Sequence, residues 1–348
     1  MKELIYCKHC VMDGSAEEIV LDKDGVCNFC HQAQRELRMA KDNKINLGRY
    51  LKQIKGEKYD CLIGLSGGVD SSFTLHKAVK LGLKPLCFSI DNGWNDPKAD
   101  ENIMRIVETL KVPFFRYTID KKRFIELQNA FILAGQKNIE IPTDHILMAS
   151  SYEVASRYGI RWILSGGNVA TESIMPPSWG YNARDLVHIK DIYKWVTGKK
   201  LQGLPMCGLI KWNWYHWIKH IRIFYLLDFL DYNRAEAIKV LEKEYGYKDY
   251  GEKHCESVFT TWFQNFYLFQ KFGIDKRKAH LSSLINSGQI TRKEAQEVLY
   301  QAPVYPSLGI EDRVMSYQKR SYKEFKTDEK LWLFLGSIIR LLRGLLKK

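Results

Sequence analysis

Between Cys61 and Val79 the chain reads CLIGLSGGVDSSFTLHKAV: a short apolar run, two glycines, three hydroxyl residues, one aspartate, and then an apolar pattern of helical spacing. A strand that turns so sharply into a helix leaves the helix's first N–H groups without intrahelical acceptors, and glycines let a ligand approach that backbone closely. The order strand, Gly-rich turn, helix start is therefore a phosphate-binding arrangement. It carries no lysine before its serines, so it is not the nucleotide loop of the Walker A pattern.

The same alternation continues downstream. Strands are expected at Cys61–Leu65, Pro85–Ile90, Pro113–Ile119 and in RWILSGG, with helices at 71–81, near 100–110, at 122–136 and at 143–158. Short apolar strands alternating with helices predict a doubly wound parallel sheet, whose ligands bind at the carboxyl ends of its strands. Three such ends carry polar or glycine residues. Ser66, Gly67, Gly68, Val69, Asp70, Ser71 and Ser72 are expected to cradle phosphate, with Asp70 holding a Mg²⁺. Asp91 is expected at an adenosine. Gly166 and Gly167 complete the nucleotide site, followed by Asn168 and Glu172.

Upstream, Cys7-Lys8-His9-Cys10 and Cys27-Asn28-Phe29-Cys30 are two CxxC knuckles with sixteen residues between them. Two knuckles complete a tetrahedral shell of four thiolates, and the few apolar residues between them leave metal binding to supply the folding energy. Structural zinc is the expectation, with an iron–sulfur cluster as the competing metal centre.

SGGVDSS resembles the pyrophosphate loop of the PP-loop ATP-pyrophosphatase superfamily. That resemblance implies cleavage of ATP between the α- and β-phosphates, adenylation of a carbonyl oxygen, and displacement of AMP by a nucleophile. Beyond the loop, IDNGWND, the segment Tyr245–Leu299 and PVYPSLGIED are similar to the N-acetyl sugar amidotransferases of surface-polysaccharide biosynthesis, from Cys7 to about Asp312. SGGNVATES departs from that family, which more often has Gly-Glu-Asn where Gly167 stands. The resemblance implies an ATP-dependent conversion of a sugar acetamido group, on a UDP-linked sugar, into an acetamidino group for O-antigen or a related glycan. It further implies ammonia from a separate glutaminase with a cyclase-like companion. Asp70, Ser66, His254 and Glu256 are the expected catalytic residues, and Asn168, Glu172, His254 and Glu256 the expected substrate contacts. The alternative is a zinc-ribbon tRNA thiolase acting on nucleic acid, but Cys87, Cys207 and Cys255 stand apart from one another, and Cys87 reads as core.

These readings divide the chain into a ribbon at 1–35, the ATP-binding domain at 55–180, a helical acceptor region at 181–312 and a basic tail at 313–348. Lys276, Arg277, Lys278 and His280 face either a nucleotide-sugar diphosphate or solvent. In Lys211–Tyr232, Trp212, Tyr215, Ile218, Arg222 and Tyr225 fall at helical spacings and read as a packing face. The net charge is +13, and from Arg313 onward ten Lys/Arg oppose three acidic residues. A tail of that composition, ending in SIIRLLRGLLKK, suits peripheral contact with the inner face of a membrane, a partner or the protein's own body. No secretory leader is evident, and the expected location is cytoplasmic.

Overall fold

A computed structural model of the chain describes residues 5–250 and 256–335. The four expected strands form β1 (Cys61–Gly64), β2 (Pro85–Asp91), β3 (Phe114–Thr118) and β4 (Trp162–Ser165), and a fifth, β5 (Arg222–Tyr225), joins them. All neighbours are parallel, in the order β3-β2-β1-β4-β5, with Cys61 opposite Pro85 and Leu62 opposite Ile163. The central strands are apolar along their length because both faces are covered. Ile63, Cys87 and Leu164 pack with Leu75, Ile103 and Leu241 on one side; Leu62, Phe88 and Ile163 pack with Tyr152, Ala155 and Trp212 on the other. This is the doubly wound α/β class that the sequence implies, with a helical C-terminal part. Among the described residues no helix is long and apolar enough to cross a membrane.

β5 corrects the reading of Lys211–Tyr232 as one helical face. Trp212 and Tyr215 are buried, as packing residues should be, on the helix Leu209–Asn213 and the π-helical turn Trp214–Ile218. Ile218 is 66% exposed, however, and Arg222–Tyr225 is a strand paired along β4. An uncovered edge leaves a row of unpaired N–H and C=O groups, and pairing that row outweighs a helical spacing of side chains.

The strand order reverses between β1 and β4, so the loops following them lie side by side at the carboxyl ends of the sheet. Two glycines permit the close approaches of these loops, Gly67 to the backbone at Ala99 and Gly166 to the neighbouring loop. Gly67 has φ +83°, and a Cβ there would sit 2.5 Å from the Ala99 carbonyl oxygen. A Cβ on Gly166 would lie 2.8 Å from the Ser71 nitrogen.

Gly67→Ala therefore combines left-handed strain with a backbone collision and should destabilise the fold by about 2 kcal/mol or more. Gly159→Ala, where φ is +67° and nothing lies within 4 Å of the added atom, should cost only about 1 kcal/mol. Denaturant midpoints of the two variants check the difference; equal losses would mean that the close approach to Ala99 is not a constraint.

Candidate active site

The helix Val69–Lys80 starts from Gly68 in extended conformation, and no side chain caps it. Its first N–H groups thus face the loop that precedes it, the arrangement that receives an anion. The loop holds its own shape: Gly68 N donates to Ser66 Oγ at 3.2 Å, Ser66 N to Ser71 Oγ at 3.3 Å, and Ser71 Oγ to the Gly68 carbonyl at 3.2 Å. Asp70 accepts a hydrogen bond from the hydroxyl of Tyr232, which follows β5. Burial and the Asp70 charge push the Tyr232 phenol upward, so it keeps its proton and donates.

Beyond the loop opens a cavity of about 740 Å³. Ser66, Gly68, Val69, Asp70 and Ser71 form one wall, and Gly166, Gly167 and Glu172 the adjoining one. Ser66 Oγ donates to Glu256 Oε1 at 3.3 Å, linking the loop to the opposite side. The floor comes from the helix Ile141–Arg157 and from the start of the helix Arg277–Asn286. The first supplies Asp144, with Glu140 just before it; the second supplies His280, with Lys276 just before it. Burial, then the Asp144 charge, raises the Glu140 carboxyl to about 8, while Thr260 Oγ1 donates to Glu140 Oε2 at 3.1 Å. Asp144 is exposed to the cavity, and the protein packed around it raises its carboxyl, with Lys276 opposing the shift. Burial lowers the Lys276 ammonium against the pull of Asp144, Glu140 and Glu172.

The expected site residues divide accordingly. Ser66, Gly68, Val69, Asp70, Ser71, Gly166, Gly167, Glu172 and Glu256 meet at the cavity. Gly67 instead packs on Ala99, and Ser72 is buried behind the loop. Asn168 is buried and caps the helix Val169–Glu172 by accepting from Thr171 N at 3.0 Å. Asp91 lies off the cavity, paired with Lys121 at 2.8 Å, while Asn92 and Asn95 line it. His254 lies outside the described residues. Of the four basic residues near 276, Lys276 and His280 reach the cavity, whereas Arg277 pairs with Asp275 at 2.7 Å and Lys278 pairs with Asp13. Glu140, Asp144, Arg234, Tyr225 and Tyr232 had no motif to announce them; the cavity and the Asp70 contact reveal them.

Cys7, Cys10, Cys27 and Cys30 are buried, with all four sulfurs within 4.8 Å of one another. Separations of 3.9, 3.8 and 3.6 Å between them match the spacing of about 3.8 Å that ~2.3 Å metal–sulfur bonds impose on a tetrahedron. A multinuclear cluster must fit its own atoms between the thiolates and would hold them farther apart, so the set fits one tetrahedral ion. Cys10 N and Cys27 N donate to Cys7 Sγ, at 3.4 and 3.3 Å, as N–H groups do to metal thiolates. The ribbon is clasped to the C-terminal part: Asn286 Nδ2 donates to Cys30 Sγ at 3.4 Å, and Arg292 to the Cys10 and Cys7 carbonyls at 3.1 and 3.3 Å.

With this geometry in view, comparisons with known proteins bear on particular segments. Residues 256–331 match the family model described as the C-terminal domain of WbpG-like LPS biosynthesis proteins. That segment supplies Glu256, Lys276 and His280 to the cavity and Asn286 and Arg292 to the ribbon clasp. The chain is 23% identical over 164 residues to an uncharacterised protein of Methanocaldococcus jannaschii, covering 46% of this chain and 58% of that one. It thus spans little more than half that relative's length. Among solved structures it is similar to NMN synthetase from Francisella tularensis (19% identity, TM-score 0.29, 41% of this chain and 56% of that one). It is also similar to NH3-dependent NAD synthetase from Campylobacter jejuni (15% identity, TM-score 0.30, 60% and 93%).

Two outcomes follow for the site. Purified protein should carry one bound metal ion per chain without the visible absorption of an iron–sulfur cluster, and Cys27→Ser should lose it; a cluster spectrum would contradict the tetrahedral fit. A carboxyl that stays protonated to about pH 8 when folded but ionises near 4 when unfolded lowers stability progressively as pH rises between those values. Glu140→Gln should therefore gain in Tm over the parent protein as melts move from roughly pH 5 to pH 9. A gap that does not change with pH would mean Glu140 titrates normally.

Proposed function

We propose that this chain is an ATP-dependent amidotransferase that turns an acetamido group of a sugar, UDP-linked and destined for a surface glycan, into an acetamidino group. The observation that carries the reading is the joining of a phosphate-cradling loop to a carboxylate-lined cavity, through the bond from Ser66 to Glu256. The match of residues 256–331 to an LPS biosynthesis domain supports a glycan acceptor.

In this reading the triphosphate lies on the N–H groups that follow Gly68. The acceptor's amide oxygen attacks the α-phosphorus, pyrophosphate leaves onto the loop, and an adenylated imidate remains. An amide oxygen is a poor nucleophile, so alignment and fixed dipoles must supply most of the acceleration. Mg²⁺, when bound near Asp70, would neutralise phosphate charge, and Tyr232 fixes the carboxylate by donating to it. Ammonia, delivered by a separate glutaminase with its cyclase-like companion, displaces AMP. The reaction converts a neutral amide into a cationic amidinium, and the carboxylates of Asp144, Glu172 and Glu256 favour that gain of charge. Zinc in the four-cysteine shell would hold the ribbon against the helix Arg277–Asn286, away from the chemistry.

The thiolase alternative draws on the positive net charge. It needs sulfur-carrying cysteines near the loop, yet Cys61, Cys87 and Cys207 are buried and none of them lines the cavity. Cys255 lies outside the described residues.

Incubation with ATP, Mg²⁺, ammonium and a UDP-diacetamido sugar should release pyrophosphate and yield a product one mass unit lighter than the acceptor. Asp70→Asn should reduce that turnover roughly 100-fold or more. Release dependent on bulk tRNA, and not on the sugar, would transfer the assignment to a tRNA-modifying enzyme.

A further inference from the structure

We infer that the outward face of the segment Leu209–Ile218 is a docking surface for an anionic lipid bilayer, on which the protein lies without crossing it. The assignment is independent of the reaction proposed above.

The segment is α-helical over Leu209–Asn213 and runs on as the π-helical turn Trp214–Ile218. Its inner face is packed. Trp212 and Tyr215 are buried, and the Tyr215 ring stacks on Tyr152, a residue of the cavity wall, with centroids 5.3 Å apart. Its outer face reverses the usual order, in which the solvent side of a helix is polar. Ile210 is 88% exposed, Trp214 42% and Trp217 47%, and Ile218 is exposed beside them. Large apolar side chains grouped on one face of a firmly held helix mark an interaction surface.

Three features identify what covers it. The first is charge. Lys211, Lys219 and Arg222 flank the apolar residues, all exposed, and no Asp or Glu occurs from Ile192 to Leu227. Glu153, which shares a cleft with Lys211, is already held by Arg157 at 3.0 Å and by Tyr117 at 3.1 Å. Protein interfaces are depleted of lysine. Tryptophan and isoleucine ringed by lysine instead suit the headgroup level of a bilayer, with rings at the acyl boundary and ammonium groups on lipid phosphate. Nucleic acid would satisfy the lysines, but exposed isoleucines cannot stack on its bases.

The second feature is the indole of Trp217, whose Nε1 donates to Asn213 Oδ1 at 3.1 Å. That ring can leave water without giving up its hydrogen bond. The third is the C-terminal segment, which meets the same helix. Trp332 packs on Trp212 with centroids 5.4 Å apart, and the Arg184 guanidinium lies 5.7 and 6.0 Å from the two rings. Leu331 and Phe334 next to Trp332 are exposed. The sequence then continues, outside the described residues, as GSIIRLLRGLLKK, again apolar and basic with no acid. Two segments of this composition meeting at Trp212 enlarge the apolar area and the charge with which attachment to anionic lipid scales.

Flotation of the full chain with vesicles tests the assignment. The protein should bind vesicles of phosphatidylcholine and phosphatidylglycerol, and bind phosphatidylcholine alone far less. Raising salt from about 0.1 M to about 1 M, which shortens the Debye length from about 10 to about 3 Å, should weaken that binding. Trp214→Ser/Trp217→Ser should lose roughly tenfold or more in vesicle affinity. Lys211→Gln/Lys219→Gln should lose roughly tenfold of the preference for anionic lipid. All four side chains are exposed, so both variants should keep the parent Tm, and a loss at unchanged Tm reports the surface and not the fold. Brominated acyl chains should quench the parent's tryptophan emission, and quench it less in Trp214→Phe/Trp217→Phe. A parent that does not float would overturn the assignment. So would flotation that is unchanged in Trp214→Ser/Trp217→Ser but lost in Arg340→Gln/Arg343→Gln, which would give the attachment to the tail alone. A parent that ignores vesicles yet forms a dimer dispersed by Trp214→Ser/Trp217→Ser would also overturn it, and would assign the face to a second copy of the chain.

Discussion

The site depends on two loops meeting at the point where the sheet reverses direction. β1 pairs with β4 although about a hundred residues of chain separate them, and the pairing sets Gly166 against the backbone at Ser71. A side chain at Gly166 would drive the loops apart, and one at Gly67 would push the loop after β1 off the helix Pro97–Leu110. The cavity opens at that seam, and residues from elsewhere in the chain reach it. Glu172 follows the β4 loop, Tyr232 reaches Asp70 from beyond β5, and Glu256 reaches Ser66 from the far side.

The C-terminal segment closes the opposite wall and is held there from outside. The helix Arg277–Asn286 presents Lys276 and His280 to the cavity at one end and Asn286 to the cysteine knuckle at the other. Its Ser282 accepts from Val11 N of the ribbon at 3.2 Å, and Ser283 accepts from Ile174 N, just past the segment that carries Glu172, at 3.1 Å. A ribbon with too few apolar residues for its own core thus gains a folding partner. Met12 and Phe29 belong to the same buried cluster as Phe259, Trp262 and Tyr267. A metal ion in the thiolate shell would stabilise a surface on which the cavity wall rests.

Much of this was legible in the sequence because local rules sufficed. The loop, the four strands and the two CxxC pairs each announce themselves within a few residues. β5 did not, because four residues in an aromatic run carry too little period to outvote the helical spacing around them. Glu140 and Asp144 were hidden for another reason: they stand more than a hundred residues from Lys276, and only the topology brings the three to one cavity. Asp91 shows the converse: a strand-end aspartate of plausible type whose partner, Lys121, turns it away from the cavity.

The burial of Glu140 costs stability at neutral pH, since its carboxyl would ionise more freely in the unfolded chain. Folded proteins retain such costs chiefly at sites of function. The central claim is that the acceptor's own amide oxygen is adenylated, and an isotope follows it directly. With ¹⁸O in the reacting acetamido group, the account requires the label to appear in the phosphate of AMP. Label that stays in the sugar, or departs into water or pyrophosphate, would contradict it.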